Sequence, residues 1–80
     1  MKITLEDLLK IIAKSLNIKV SKISIKTKDT DLEEWDSLGQ LSIISALDKK
    51  FKGKVKFDSV ASVANINSIA NFLKKKKLLK

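Results

Sequence analysis

The chain has 80 residues and contains no cysteine, histidine or proline. Those absences remove disulfides, thiolate metal sites, Ser-His and Cys-His nucleophile pairs and the commonest metal ligand. The net charge of +8 is carried entirely by lysine. Lysine attracts polyanions at long range but lacks the planar fork with which arginine reads phosphate and guanine, so nucleic acid is not the expected partner. No apolar run approaches the ~20 residues that span a bilayer. The first residues run straight into Glu6 and Asp7, against the pattern of a signal peptide. A single domain over residues 1–80, soluble, cytoplasmic and monomeric, is expected.

Thr4 followed by Asp7 is a capping-box pattern, with Ile3 and Leu8 at the staple positions on either side. Leu5, Leu8, Leu9, Ile12 and Leu16 recur at helical spacing, which predicts a first helix from Leu5 to Leu16 stopped at Asn17. From Ile18 to Asp36 the helical period is lost. Val20 to Lys26 has the β-branched content of a strand, but no second strand pattern exists to pair with it. A long loop is expected instead, with its apolar residues, Leu32 among them, tucked onto the helices. A connection this long in a small domain tends to be functional. Its second half, from Asp29 to Asp36, holds Asp31, Glu33 and Glu34 and no lysine.

Ser37 meets Gln40 three residues later, a second capping-box pattern. On a helical wheel Leu41, Ile44, Leu47 and Phe51 share one side with Ile43 at its flank, and this side is expected to face the core. The opposite side carries Leu38, Ser42, Ser45 and Lys49, with Gly39 and Ala46 close by. The second helix thus has an outer face of small residues with one exposed leucine beside the Ser37 hydroxyl. Gly53 ends it. Asp58 or Ser59 can cap a short third helix through Val63. Asn65 can cap a fourth with Ile66, Ile69, Ala70 and Leu73 on its stripe and Phe72 on its flank. The lysine-rich run from Lys74 to Lys80 reads as a solvated, fraying helix end. The expected architecture is all-α: a small four-helix bundle with a long loop between the first two helices and a short third helix. Ile12, Leu41, Leu47, Phe51, Ile69 and Leu73 are expected to be buried together.

The run Asp36-Ser37-Leu38, followed by Leu41, Ile43, Ile44, Ala46, Leu47 and Phe51, resembles the second helix of acyl carrier proteins. In that family an Asp-Ser-Leu triplet opens the helix and the serine bears 4′-phosphopantetheine. The resemblance covers nearly the whole chain, including the first helix, the long loop and the helix opening at Asn65-Ile66. It implies a non-catalytic carrier with the prosthetic group on Ser37, flanked by Asp36 and Leu38, and acyl groups held as thioesters on the arm. The implied partners are a phosphopantetheinyl transferase and acyl-loading or acyl-transferring enzymes, docking near Asp36, Ser37, Leu38 and the outer face of the second helix. The chain departs from the housekeeping pattern, in which that helix is strongly acidic. Here Ser42, Asp48, Lys49 and Lys50 stand at the matching positions, Gly39 and Gln40 follow the triplet, and Trp35 precedes Asp36. A specialised carrier for a dedicated acyl, aminoacyl or secondary-metabolite pathway is therefore expected. The alternatives from other classes are a cofactor-free helical docking module and a small basic nucleic-acid-binding module.

Overall fold

A computed structural model describes residues 2–53 and 65–80. Within them the chain forms three α-helices and no strand: α1 (Leu5–Leu16), α2 (Ser37–Lys50) and α3 (Ile66–Lys75). The expected short helix between Asp58 and Val63 lies outside the described residues, so the helix expected as the fourth is α3 here.

The first helix begins and ends where its signals place it. Thr4 Oγ1 accepts the Asp7 amide at 3.0 Å, and the Asp7 carboxylate accepts the Thr4 amide at 3.1 Å. The hydrogen bonds from the Thr4 backbone and side chain hold the Asp7 carboxyl below the ordinary aspartate range. At the other end Asn17 adopts the left-handed conformation and the Ile18 amide reaches back to the Ala13 carbonyl at 3.0 Å. The same reversal closes α2, with Lys52 and Gly53 at positive φ and the Gly53 amide on the Asp48 carbonyl. It also closes α3, where Lys77 is left-handed and the Leu78 amide meets the Leu73 carbonyl at 2.8 Å.

α1 and α2 pack antiparallel. Leu16, at the end of α1, lies against Gly39 in the first turn of α2. Asp7, at the start of α1, feels the charge of Lys50 at the end of α2. The core between the helices is built from Leu8, Ile12, Ile43, Leu47, Ile66, Ile69 and Leu73, each shut off from solvent. Burial of such a side chain is worth about 1.5–3 kcal/mol relative to leaving it exposed. Of the six residues expected to be buried together, Ile12, Leu47, Phe51, Ile69 and Leu73 are buried and Leu41 is not, being 63% exposed. The inward row of α2 is Gly39, Ile43 and Leu47, with Ile44 half-buried. The helix is rotated relative to the expected wheel because Gly39, having no side chain, lets Glu34 and Leu16 close over that row.

The segment between α1 and α2 is not structureless. It holds two single 3-10 turns, Val20–Lys22 and Asp29–Asp31. Ile23 is buried, and Ile25 and Leu32 pack partly onto the core, as expected of the apolar loop residues. Thr27 anchors the segment to α3. Its hydroxyl accepts the Ser24 amide at 2.9 Å, and its carbonyl accepts the Ile66 amide at 3.1 Å. Asn65 caps α3 through its side chain on the Ser68 amide at 2.7 Å, as its sequence position predicts.

The lysine-rich end departs from expectation. It does not fray. After α3 the chain turns at Lys77, and Leu78 and Leu79 are buried. Leu79 forms an isolated parallel bridge with Ile3. The Ile3 amide donates to the Leu78 carbonyl at 3.0 Å, and the Lys80 amide donates to the Ile3 carbonyl at 2.8 Å. The pair of leucines supplies apolar surface that would be wasted in solvent, and this outweighs the solubility of the flanking lysines. No helix among the described residues is long and apolar enough to cross a membrane.

Candidate functional site

The acidic half of the connecting segment delivers the chain to the start of α2. The Lys28 amide bonds the Asp31 carboxylate at 2.9 Å, and the Trp35 amide bonds the Leu32 carbonyl at 3.2 Å. Trp35 is buried, 4% exposed, and fixes the segment two residues before the helix. Its indole Nε1 is buried without a hydrogen-bond partner among the described residues. Gly39 permits the close approach. A Cβ there would collide with the Glu34 carbonyl oxygen and lie 2.7 Å from Leu16 Cδ2.

The helix is capped one residue earlier than its Ser-x-x-Gln pattern predicts. Asp36 is the N-cap, and its Oδ1 accepts the Gly39 amide at 2.8 Å. The Asp36 carbonyl also takes the first helical bond, from the Gln40 amide at 2.9 Å. Aspartate and serine are near-equal N-caps. The tie is decided by the Trp35 anchor, which sets where the helix starts. The consequence is chemical. Ser37 becomes the first helical residue, exposed, and its hydroxyl has no hydrogen-bond partner among the described residues. A serine serving as the cap would have its oxygen engaged by a backbone amide.

Around that hydroxyl the surface is mixed. The amides of Ser37 and Leu38 belong to the first turn, where backbone N–H groups lack intrahelical partners. No acceptor engages them among the described residues. An anion joined through Ser37 Oγ would meet these donors and the positive end of the helix dipole. The Asp36 charge opposes an anion locally, but one of its oxygens is already committed to the Gly39 amide. Leu38 is 74% exposed, as its outer-face position predicts. A depression of about 490 Å³ beside Ser37 has Trp35, Leu41 and Ile44 as apolar walls and Asp29 and Asp36 as its acidic edge. No group of three or more potential metal-ligating side chains occurs among the described residues.

Sequence reasoning placed Asp36, Ser37 and Leu38 together, and the structure brings them to one exposed corner. It missed Leu41, assigned to the core on the helical wheel, and it missed the steric role of Gly39. A signal for Gly39 did exist: a glycine inside a helical pattern costs about 1 kcal/mol against alanine, which points to a packing reason for it.

The family model for the phosphopantetheine attachment site matches residues 6–73. Comparison with curated proteins and with solved structures finds no match. The matched span runs from the first turn of α1 to Leu73 in α3 and contains the whole corner around Ser37. The chain therefore belongs to the phosphopantetheine attachment-site family, that of the acyl carrier proteins, whose cofactor is covalently attached 4′-phosphopantetheine.

Proposed function

We propose that Ser37 is the residue that bears 4′-phosphopantetheine, and that the protein carries acyl groups for a specialised lipid, aminoacyl or secondary-metabolite pathway. The observation that carries the assignment is the released hydroxyl. Asp36 performs the capping, so Ser37 Oγ is exposed and unengaged at a helix N-terminus. The residues present suit the group. The Ser37 and Leu38 amides favour a phosphodiester at that corner, and Leu38 offers apolar surface beside it. When bound, the arm supplies the thiol that this cysteine-free chain lacks, and an acyl group rides on it as a thioester.

The chain's own residues do no bond chemistry in this reading. Ser37 is the point of attachment. Asp36 holds the helix start and presents a carboxylate to the modifying enzyme. Carrier domains of the family are generally non-catalytic and meet transferases and acyl-handling enzymes. Here those partners would dock around Asp36, Ser37, Leu38 and the outer face of α2. The specialised role rests on that face, where Ser42, Ser45 and Lys49 stand exposed in place of a carboxylate row.

Intact-mass measurement tests the assignment. Incubation with coenzyme A and a phosphopantetheinyl transferase adds the mass of one phosphopantetheinyl group to the wild type and nothing to Ser37→Ala. An unchanged wild-type mass with several different transferases, or an unchanged gain in Ser37→Ala, overturns it.

A further inference from the structure

A second depression, about 710 Å³, runs between α1 and α2 on their outer side. Leu41 lines both this groove and the depression beside Ser37, so the two meet at its side chain. Beyond Leu41 the groove has small side chains, Ser42, Ser45 and Ala46, along α2. Its charged residues are Lys14 on the α1 wall and Lys49 and Lys50 on the α2 wall, and no carboxylate lines it. Lys50 has Asp7 in electrostatic range. The only ion pair among the described residues, Lys10 with Glu6, lies outside the groove.

The outer surface is therefore divided along the axis of α2. Asp29 and Asp36 edge the Ser37 end. Lys49 and Lys50 hold the far end, the exposed Leu41 sits at the join, and Lys14, two residues before Leu16 on the antiparallel α1, faces the groove nearer the Ser37 end. From Ser37 to Lys49 the helix advances about 18 Å at 1.5 Å per residue. A like-charged partner surface is disfavoured at each end, so the division fixes the direction in which a partner lies along the groove.

We propose that this groove is the docking surface for an acyl-loading or acyl-receiving enzyme, which enters it with an acidic, amphipathic segment. An apolar side chain of that segment seats on Leu41, and its carboxylates meet Lys14 on the α1 wall and Lys49 and Lys50 on the α2 wall, Lys49 standing about 18 Å from the attachment point at 1.5 Å per helical residue. The inference rests on the carrier reading of Ser37 and adds the chemistry of the partner. Charge complementarity selects the occupant: the small side chains leave room for a helix, the lysines need counter-charge, and Leu41 needs cover. The same lysines repel an enzyme whose docking surface is basic.

The probe is a synthetic helical peptide with leucine and glutamate on one face, titrated into uniformly 15N-labelled protein. A peptide with lysine at every glutamate position is the control. The acidic peptide shifts the amides of Leu41, Ser42, Ser45 and Lys49, and the basic one does not. Replacing Lys14, Lys49 and Lys50 together by glutamine weakens the acidic peptide at least about fivefold, given the usual worth of exposed ion pairs. Leu41→Ala weakens it independently of salt. Raising ionic strength from about 0.01 to about 0.15 M weakens wild-type binding, since the screening length falls from roughly 30 to 8 Å. Glutamine keeps the helices intact, which circular dichroism verifies. Equal shifts with the basic peptide overturn the proposal. So does an acidic peptide that leaves the groove amides unmoved, or that is displaced by phosphatidylglycerol vesicles or duplex DNA binding the same lysines more tightly. The titration is run on unmodified protein alongside the mass measurement. A chain that takes no phosphopantetheine yet binds the acidic peptide fails the carrier reading alone. A modified chain with a silent groove fails this proposal alone.

Discussion

Gly39→Ala sets two effects of known size against each other. Glycine in a helix is less favourable than alanine by up to about 1 kcal/mol, so propensity alone makes the variant more stable. The structure reverses the sign. The new Cβ meets the Glu34 carbonyl oxygen, a backbone atom that cannot rotate away, and sits 2.7 Å from Leu16 Cδ2. Forcing an extra methyl into a closed contact costs typically about 1–3 kcal/mol. Glu34 is adjacent to Trp35, whose indole is packed into the core, so the segment yields only by disturbing that burial. The net expectation is a loss of about 1 kcal/mol, the steric cost exceeding the propensity gain. Urea unfolding followed by the fluorescence of Trp35, the single tryptophan, reads the change directly. Far-ultraviolet circular dichroism checks that the helices unfold in the same transition. A variant as stable as the wild type, or more so, would show that Gly39 is an ordinary helix residue and that the segment does not rest on it.

Leu47→Ala should cost about 2–5 kcal/mol in the same assay, as expected for a fully buried leucine, whereas Leu41→Ala should stay within about 0.5 kcal/mol because its side chain faces solvent. Equal costs for the two would return the inward face of α2 to the one predicted from the wheel. Asp36→Asn should retain the cap and leave stability nearly unchanged, while Asp36→Ala should lose roughly 1 kcal/mol. If the Asp36 carboxylate also serves the modifying enzyme, both variants slow phosphopantetheine transfer, and a normal rate in Asp36→Asn confines Asp36 to capping.

The elements that were legible in the sequence are those with a one-to-one chemical signal. Thr4 with Asp7, Asn17 and Asn65 each use a side chain or a left-handed conformation that few other residues provide, and all three stand where expected. The face of α2 was harder to read because apolar residues are spread around it. Leu38 interrupts the polar side of Ser42, Ser45 and Lys49, and Leu41, Ile43, Ile44 and Leu47 spread over the rest, so the edges of the apolar sector are blurred. The outcome was decided by Gly39, whose meaning depends on a carbonyl from outside the helix. The cap shifted by one residue for a related reason: Asp36 and Ser37 are equally good caps, and the buried Trp35 decides between them. At the C-terminal end, local charge density concealed Leu78 and Leu79, whose burial depends on Ile3 at the opposite end of the sequence. The corner around Ser37 was legible because its three residues are contiguous; the groove was not, because it needs α1 and α2 side by side.

The bridge between Ile3 and Leu79 changes what the ends of this chain report. Terminal residues ordinarily exchange their amide hydrogens almost freely, because they open without disturbing anything else. Here the Ile3 and Lys80 amides are both donors in the closing pair, which joins segments nearly a full chain length apart. Each doubling of a closed loop adds about 0.6 kcal/mol of entropic cost, so this contact forms at a net gain only once the helices between have already shortened the path. The contact between the ends thus depends on the helices between them being in place. Measured protection of the Ile3 and Lys80 amides is therefore expected to gauge the whole molecule's cooperativity.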